Sequence, residues 1–66
     1  MIDEMEQYFN ERQQGDAYAQ NGNRAEAVAC YDRAIALLPK AGFSEGQQKL
    51  LRPLLERRRD RVANGS

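Results

Sequence analysis

Cysteine, carboxylate and arginine side chains are the groups in this sequence that could take part in chemistry. Cys30 is the single cysteine, and no histidine is present to act as its base. Neighbouring carboxylates such as Glu4 and Glu6 are expected on the solvated side of a helix, and the sequence has neither a metal-ligand spacing nor a glycine-rich phosphate loop. We therefore predict that the chain is not an enzyme and has no catalytic residue, no metal site and no cofactor.

Charged residues are unevenly distributed along the chain, although the formal net charge is zero. Residues 1–22 carry five acidic groups and one basic group, whereas residues 40–66 carry seven basic groups and three acidic ones. The basic end makes nucleic-acid binding one alternative function. A domain that neutralises several phosphates is normally strongly basic, however, and the acidic end would repel them. We therefore expect a protein or peptide partner rather than a nucleic acid.

The length of 66 residues fits one small domain, which we place at residues 1–63, with 64–66 as a polar tail. A single thiol suits a reducing compartment, and no apolar stretch reaches the roughly 20 residues of a membrane span. Acidic residues occupy the start of the chain, where a signal peptide would be basic. We expect a cytoplasmic protein without a membrane span.

Three stretches of the chain show the spacing of amphipathic helices. Apolar residues recur at intervals of three and four within residues 3–20, 24–38 and 45–63, which is the period of an α-helix with one apolar face. Turn-forming residues separate the stretches. The pattern predicts an all-α fold, in which an antiparallel helical hairpin and a third amphipathic helix form a three-helix bundle.

Local signals mark the boundaries of these helices. Asn23 with Glu26, and Ser44 with Gln47, have the spacing of a capping box and predict the starts of the second and third helices. Pro53 falls inside the third helix, where it removes one backbone hydrogen bond. We therefore expect either a kink or a fresh helix start near Pro53.

The hairpin segment, residues 8–39, resembles a tetratricopeptide repeat, a helix-turn-helix of 34 residues with small and aromatic residues at fixed positions. The matching positions here are Gly15, Tyr18, Gly22, Ala27, Tyr31, Ala34 and Pro39. Glu11 and Gln14 stand where the repeat has tryptophan and leucine, so we expect the surface that a preceding repeat would cover to be open to water. The resemblance implies a protein-interaction module, an adaptor or part of a scaffold, with the third helix as its cap.

In its length and its three predicted helices, the whole chain also resembles the microtubule-interacting and transport (MIT) domain. That family is a three-helix bundle, and the resemblance implies docking of partner tail helices in membrane trafficking. Its third helix usually has an Arg-Ala-Glu-type ending, whereas residues 57–62 here read Arg-Arg-Arg-Asp-Arg-Val. An unrelated three-helix bundle is the remaining interpretation. We favour the tetratricopeptide-like interpretation, because its residues match at specific positions.

The first helix of a tetratricopeptide repeat lines a concave groove, so the resemblance implies that five residues of the first helix face such a groove here. They are Phe9, Arg12, Asp16, Ala19 and Gln20. Arg12 and Asp16 are four residues apart, which predicts an ion pair between them. That pair argues against a clamp for the carboxylate of a peptide.

Apolar residues beside the predicted core stripes indicate where a partner would bind. If the second and third helices pack side by side, the apolar residues next to their buried faces border one groove, with arginines on its flank. The predicted partner-binding residues are Cys30, Leu37, Leu50, Leu54, Arg57 and Arg61. An acidic amphipathic helix would suit this groove. A homodimer through the same surface is the competing hypothesis.

Overall fold

The computed structural model describes residues 3–65, which form three α-helices. They are α1 (Glu4–Gln20), α2 (Arg24–Leu37) and α3 (Glu45–Ala63), and the described residues include no strand. The predicted all-α, three-helix fold is confirmed, while the predictions for residues 1, 2 and 66 lie outside the described residues. None of the helices within residues 3–65 combines the length and the hydrophobicity needed to cross a lipid bilayer.

Side-chain caps stabilise the starts of two helices. Asp3 accepts a hydrogen bond from the backbone N–H of Glu6 at 2.8 Å. Ser44 and Gln47 form the predicted capping box, with bonds of 3.0 and 3.2 Å. The predicted box at Asn23 is wrong, because Asn23 is the N-cap of α2 but its side chain makes no capping bond. Its ψ angle is 74°, whereas Asp3 and Ser44 have the extended backbone, with ψ of 168° and 162°, from which a cap normally reaches the first turn.

Pro53 lies inside α3, and the helix continues through it without interruption. The predicted fresh start near this residue therefore does not occur. The ring of Pro53 removes the donor for the carbonyl of Lys49. Both residues are exposed, so water can bind that carbonyl and the helix can continue.

The core of the molecule is built around α2, which lies between the other two helices and packs against both. Ala27, Tyr31 and Ala34 form its buried stripe. Tyr8 of α1 and Leu55 of α3 complete the core from either side. Each helix therefore buries one face against a neighbour, and neither α1 nor α3 could bury that face without α2.

Gly15 allows α1 and α2 to approach closely. A Cβ atom at this position would lie 2.9 Å from Cε1 of Tyr31, which is closer than carbon atoms pack. The ring of Tyr31 thus occupies the space that a side chain at position 15 would need. This contact gives a physical reason for the glycine of the repeat pattern.

α1 and α3 lie side by side and run in the same direction. Near their starts, the ring centroids of Tyr8 and Phe43 are 5.1 Å apart. Further along both helices, Asp16 of α1 forms an ion pair with Arg58 of α3 at 3.4 Å. The two helices leave a groove between them.

Candidate partner-binding groove

Three large apolar side chains are exposed among residues 3–65, and they lie on the two neighbouring helices α1 and α3. Phe9 is 49% exposed, Leu50 is 71% exposed and Leu54 is 53% exposed. Phe9 and Leu50 line one hollow of about 270 Å³ between the helices, and Leu54 lies one turn after Leu50 at its rim. We call this surface the α1–α3 groove. Its lining residues are Tyr8, Phe9, Arg12, Phe43, Gln47, Leu50 and Leu51.

Three aromatic rings form one end of the groove. The ring centroid of Tyr8 lies 5.1 Å from that of Phe9 and 5.1 Å from that of Phe43. All three rings meet edge to face. Tyr8 is fully buried, and its hydroxyl has no hydrogen-bond partner among the described residues. The volume of the hollow, about 270 Å³, is close to the lower end of the roughly 300–1,000 Å³ range of small-molecule pockets.

Arginine side chains flank the apolar part of the groove. Arg12 lines it from α1. On α3, Leu50, Leu54, Arg57 and Arg61 follow one another at intervals of four, three and four, so they share one face of the helix. Within residues 3–65 neither Arg12 nor Arg57 forms an ion pair. The groove is thus apolar in the middle and positively charged at its flank.

Asp16 does not pair with Arg12, so the prediction of that pair is wrong. The carboxylate of Asp16 accepts a hydrogen bond from the hydroxyl of Tyr31 on α2 and pairs with Arg58 on α3. Burial, together with the bond to Asp16, raises the pKa of Tyr31 to about 12. Asp16 therefore connects all three helices and leaves the guanidinium group of Arg12 without a carboxylate partner.

Cys30 and Leu37 do not border the α1–α3 groove, so the prediction of one groove shared by all six residues is wrong. Cys30 is only 1% exposed, and Leu37 lines a different hollow, between α1 and α2. α3 packs against the other flank of α2, where Asp32 forms an ion pair with Arg59 at 3.0 Å. Asp32 lies about 200° around α2 from Cys30, which places Cys30 and Leu37 on the flank away from α3.

The hollow between α1 and α2 is larger, about 460 Å³, and five of its seven lining residues have polar side chains. Glu11 accepts a hydrogen bond from Arg33, and this bond raises the pKa of Arg33. Burial and the charge of Glu11 raise the pKa of the Cys30 thiol, so the thiol is protonated at neutral pH and is a poor nucleophile. The residues that line this hollow are Gln7, Asn10, Glu11, Gln14, Arg33, Ala36 and Leu37.

Comparison with known proteins shows a similarity within the helical hairpin. Residues 12–41, just under half of the chain, match the sequence model of a family described as the tetratricopeptide repeat. No curated protein and no solved structure matches the chain significantly. The family match does not test the MIT alternative, which stays a prediction. The family match agrees with the resemblance at residues 8–39 and with the close contact of Gly15 and Tyr31. α1 and α2 therefore form a tetratricopeptide-like hairpin, and α3 packs against it.

Proposed function

We propose that this chain is a protein-interaction module whose α1–α3 groove binds a segment of a partner protein. Tetratricopeptide repeats are generally protein-interaction modules. The observation that supports this site is that the exposed side chains of Phe9 and Leu50 line one groove, with exposed Leu54 one turn further along α3. An apolar patch with a charged rim is typical of an interaction surface. The proposed role is that of an adaptor or part of a scaffold, and the free thiol of Cys30 suits a reducing compartment such as the cytoplasm.

Nucleic-acid binding has less support, because internal ion pairs use part of the basic cluster. Arg58 pairs with Asp16, and Arg59 pairs with both Asp32 and Asp60. These guanidinium groups already have carboxylates as neighbours, so a phosphate would have to displace them. The zero net charge of the chain adds to this argument.

The proposed function is tested with ligands from a random peptide library displayed on phage and selected against the full chain. Selected peptides are synthesised, and their affinity is measured by calorimetry for the parent and for a variant with Leu50→Ser and Arg57→Glu. We expect the double variant to bind about tenfold more weakly or worse, because it loses an apolar anchor and reverses a charge. Arg52→Glu is the matched control. It makes the same change of charge about 140° around α3 from Arg57, and it should leave the affinity within about twofold.

Circular dichroism shows whether each variant is folded. A folded double variant that binds the selected peptides as tightly as the parent would exclude the α1–α3 groove as the site. Light scattering of the parent without peptide gives its mass in solution. A dimer that becomes a monomer in the double variant would favour the homodimer hypothesis over the partner hypothesis.

A further inference from the structure

We propose that the occupant of the α1–α3 groove is an amphipathic helix of a partner protein that has an acidic N-terminal turn and lies antiparallel to α1 and α3. This inference rests on the proposed function and deepens it, because it names the conformation, the charge and the direction of the partner segment. It is carried by the arrangement of apolar and cationic side chains along the groove and by the common direction of its two walls.

The walls of the groove favour a helix over an extended peptide. Both walls are α-helices, whose backbone groups are hydrogen-bonded within each helix. An extended segment would have to satisfy its backbone groups from water and from side chains such as Gln47, whose Oε1 atom already accepts a hydrogen bond from the backbone N–H of Ser44. A helix satisfies its backbone internally. Leu50 and Leu54, four residues apart on α3, form the kind of ridge that packs into the surface of another helix.

The chemistry of the groove selects acidic residues on the partner. Arg12 on one wall and Arg57 on the other have no ion-pair partner within residues 3–65, and none of the residues that line the groove is acidic. A second copy docked through the same face would bring further guanidinium groups to it instead of carboxylates. Charge complementarity therefore favours a different, acidic chain over a homodimer.

The direction follows from the two helix dipoles. Contacts of Tyr8 with Phe43 and of Asp16 with Arg58 show that α1 and α3 run the same way, so their negatively polarised C-terminal ends lie at the same end of the groove. Arg57 is seven residues after Leu50, about 10 Å along α3 toward that end. A partner helix that places its positively polarised N-terminal end at this end of the groove interacts favourably with the dipoles of α1 and α3. Its acidic first turn then meets Arg57, while apolar residues two turns later meet Phe9 and Leu50.

The test uses two synthetic peptides of about 18 residues, or five turns, with identical composition and blocked ends. The acid-first peptide has glutamates in its first turn and leucines on one face of the later turns, and the acid-last peptide has the reverse order. Fluorescence anisotropy with the full chain measures both affinities. We expect the acid-first peptide to bind about fivefold more tightly. This preference should shrink in about 0.5 M salt and in Arg57→Gln, but not in the matched control Arg52→Gln.

A nitroxide label at the N-terminus of the acid-first peptide reads the direction of binding. It should broaden the amide resonances of α3 near Arg57 and Arg61 and spare those near Phe43 and Gln47. Equal affinities, or broadening at the opposite end, would overturn the proposed direction and leave the proposed function intact. If neither peptide binds while library peptides do bind in the groove, the acidic helix is wrong and the site stands. If Leu50→Ser leaves the affinity of the acid-first peptide unchanged, both proposals fail.

Discussion

At the scale of single residues, Gly15 is the position at which one methyl group should matter most. Alanine normally stabilises a helix by about 1 kcal/mol relative to glycine, but a Cβ here would lie 2.9 Å from the buried ring of Tyr31. The hydroxyl of Tyr31 is held by Asp16, which limits how far the ring can move. Overpacking costs about 1–3 kcal/mol, so Gly15→Ala should destabilise the chain and lower its melting temperature.

Gly46 of α3 provides the matched control for this prediction. A Cβ at position 46 would meet no atom within 4 Å, so Gly46→Ala should gain about 0.5 kcal/mol and raise the melting temperature by a few degrees. Thermal melts followed by circular dichroism compare the two variants. A Gly15→Ala variant that is stabilised as much as Gly46→Ala would contradict the close packing of α1 against α2.

Tyr31 should make the stability of the fold depend on alkaline pH. Its pKa is raised from an ordinary value of 10 to about 12, because the hydroxyl is buried and bonded to Asp16. A pKa that is higher in the folded state stabilises the fold fully below pH 10, and this contribution is lost as the pH rises through about 12. Denaturant unfolding between these pH values should therefore show decreasing stability. Tyr31→Phe should show a smaller decrease, since it lacks the ionising group. An equal decrease in both proteins would exclude Tyr31 as its source.

At the scale of helices, α3 should be required for the hairpin to fold. Leu55 of α3 belongs to the buried core, and Val62 packs against it. Without α3 the flank of α2 around Asp32 would face water, and short isolated helices are marginal in water. Deleting residues 44–66 should therefore abolish the cooperative thermal transition measured by circular dichroism. A truncated chain that keeps full helicity and a sharp transition would show that the hairpin folds alone.

The helices and the site differ in how far the sequence could predict them. Helical periodicity predicted the three helices, because it depends on residues within each element. Which helix packs against each side of α2 depends instead on long-range contacts, such as that between Asp32 and Arg59. Periodicity does not specify these contacts, so the prediction that Cys30 and Leu37 border a groove with α3 is wrong.

The sequence indicates some residues of the groove but not others. The family resemblance places Phe9 and Arg12 at a concave groove, but it does not join them to the face of α3 that carries Leu50. Joining them required the parallel arrangement of α1 and α3. Phe43 lies in the linker before α3, where no helical period marks a residue for packing. Its part in the groove is visible only in the structure.

At the scale of the whole molecule, the uneven distribution of charge along the chain has a structural consequence. Acidic residues of the first two helices pair with basic residues of the third, as Asp16 does with Arg58 and Asp32 with Arg59. These pairs are partly exposed, so water and salt screen them and each should stabilise the fold only weakly. Their positions nevertheless match the alignment of α3 beside α1 and α2. The remaining positive charge of α3 includes Arg57, at the flank of the groove.

Mapping of backbone amide shifts tests the central claim, that the α1–α3 groove is the binding surface, most directly. The full chain is labelled with ¹⁵N, and the tightest peptide selected from the library is titrated into it. The structure predicts that the largest shifts occur at Phe9, Arg12, Leu50 and Leu54. The amides beside the hollow between α1 and α2, such as that of Leu37, should change little. Largest shifts around Leu37, with Phe9 and Leu50 unperturbed, would contradict the account.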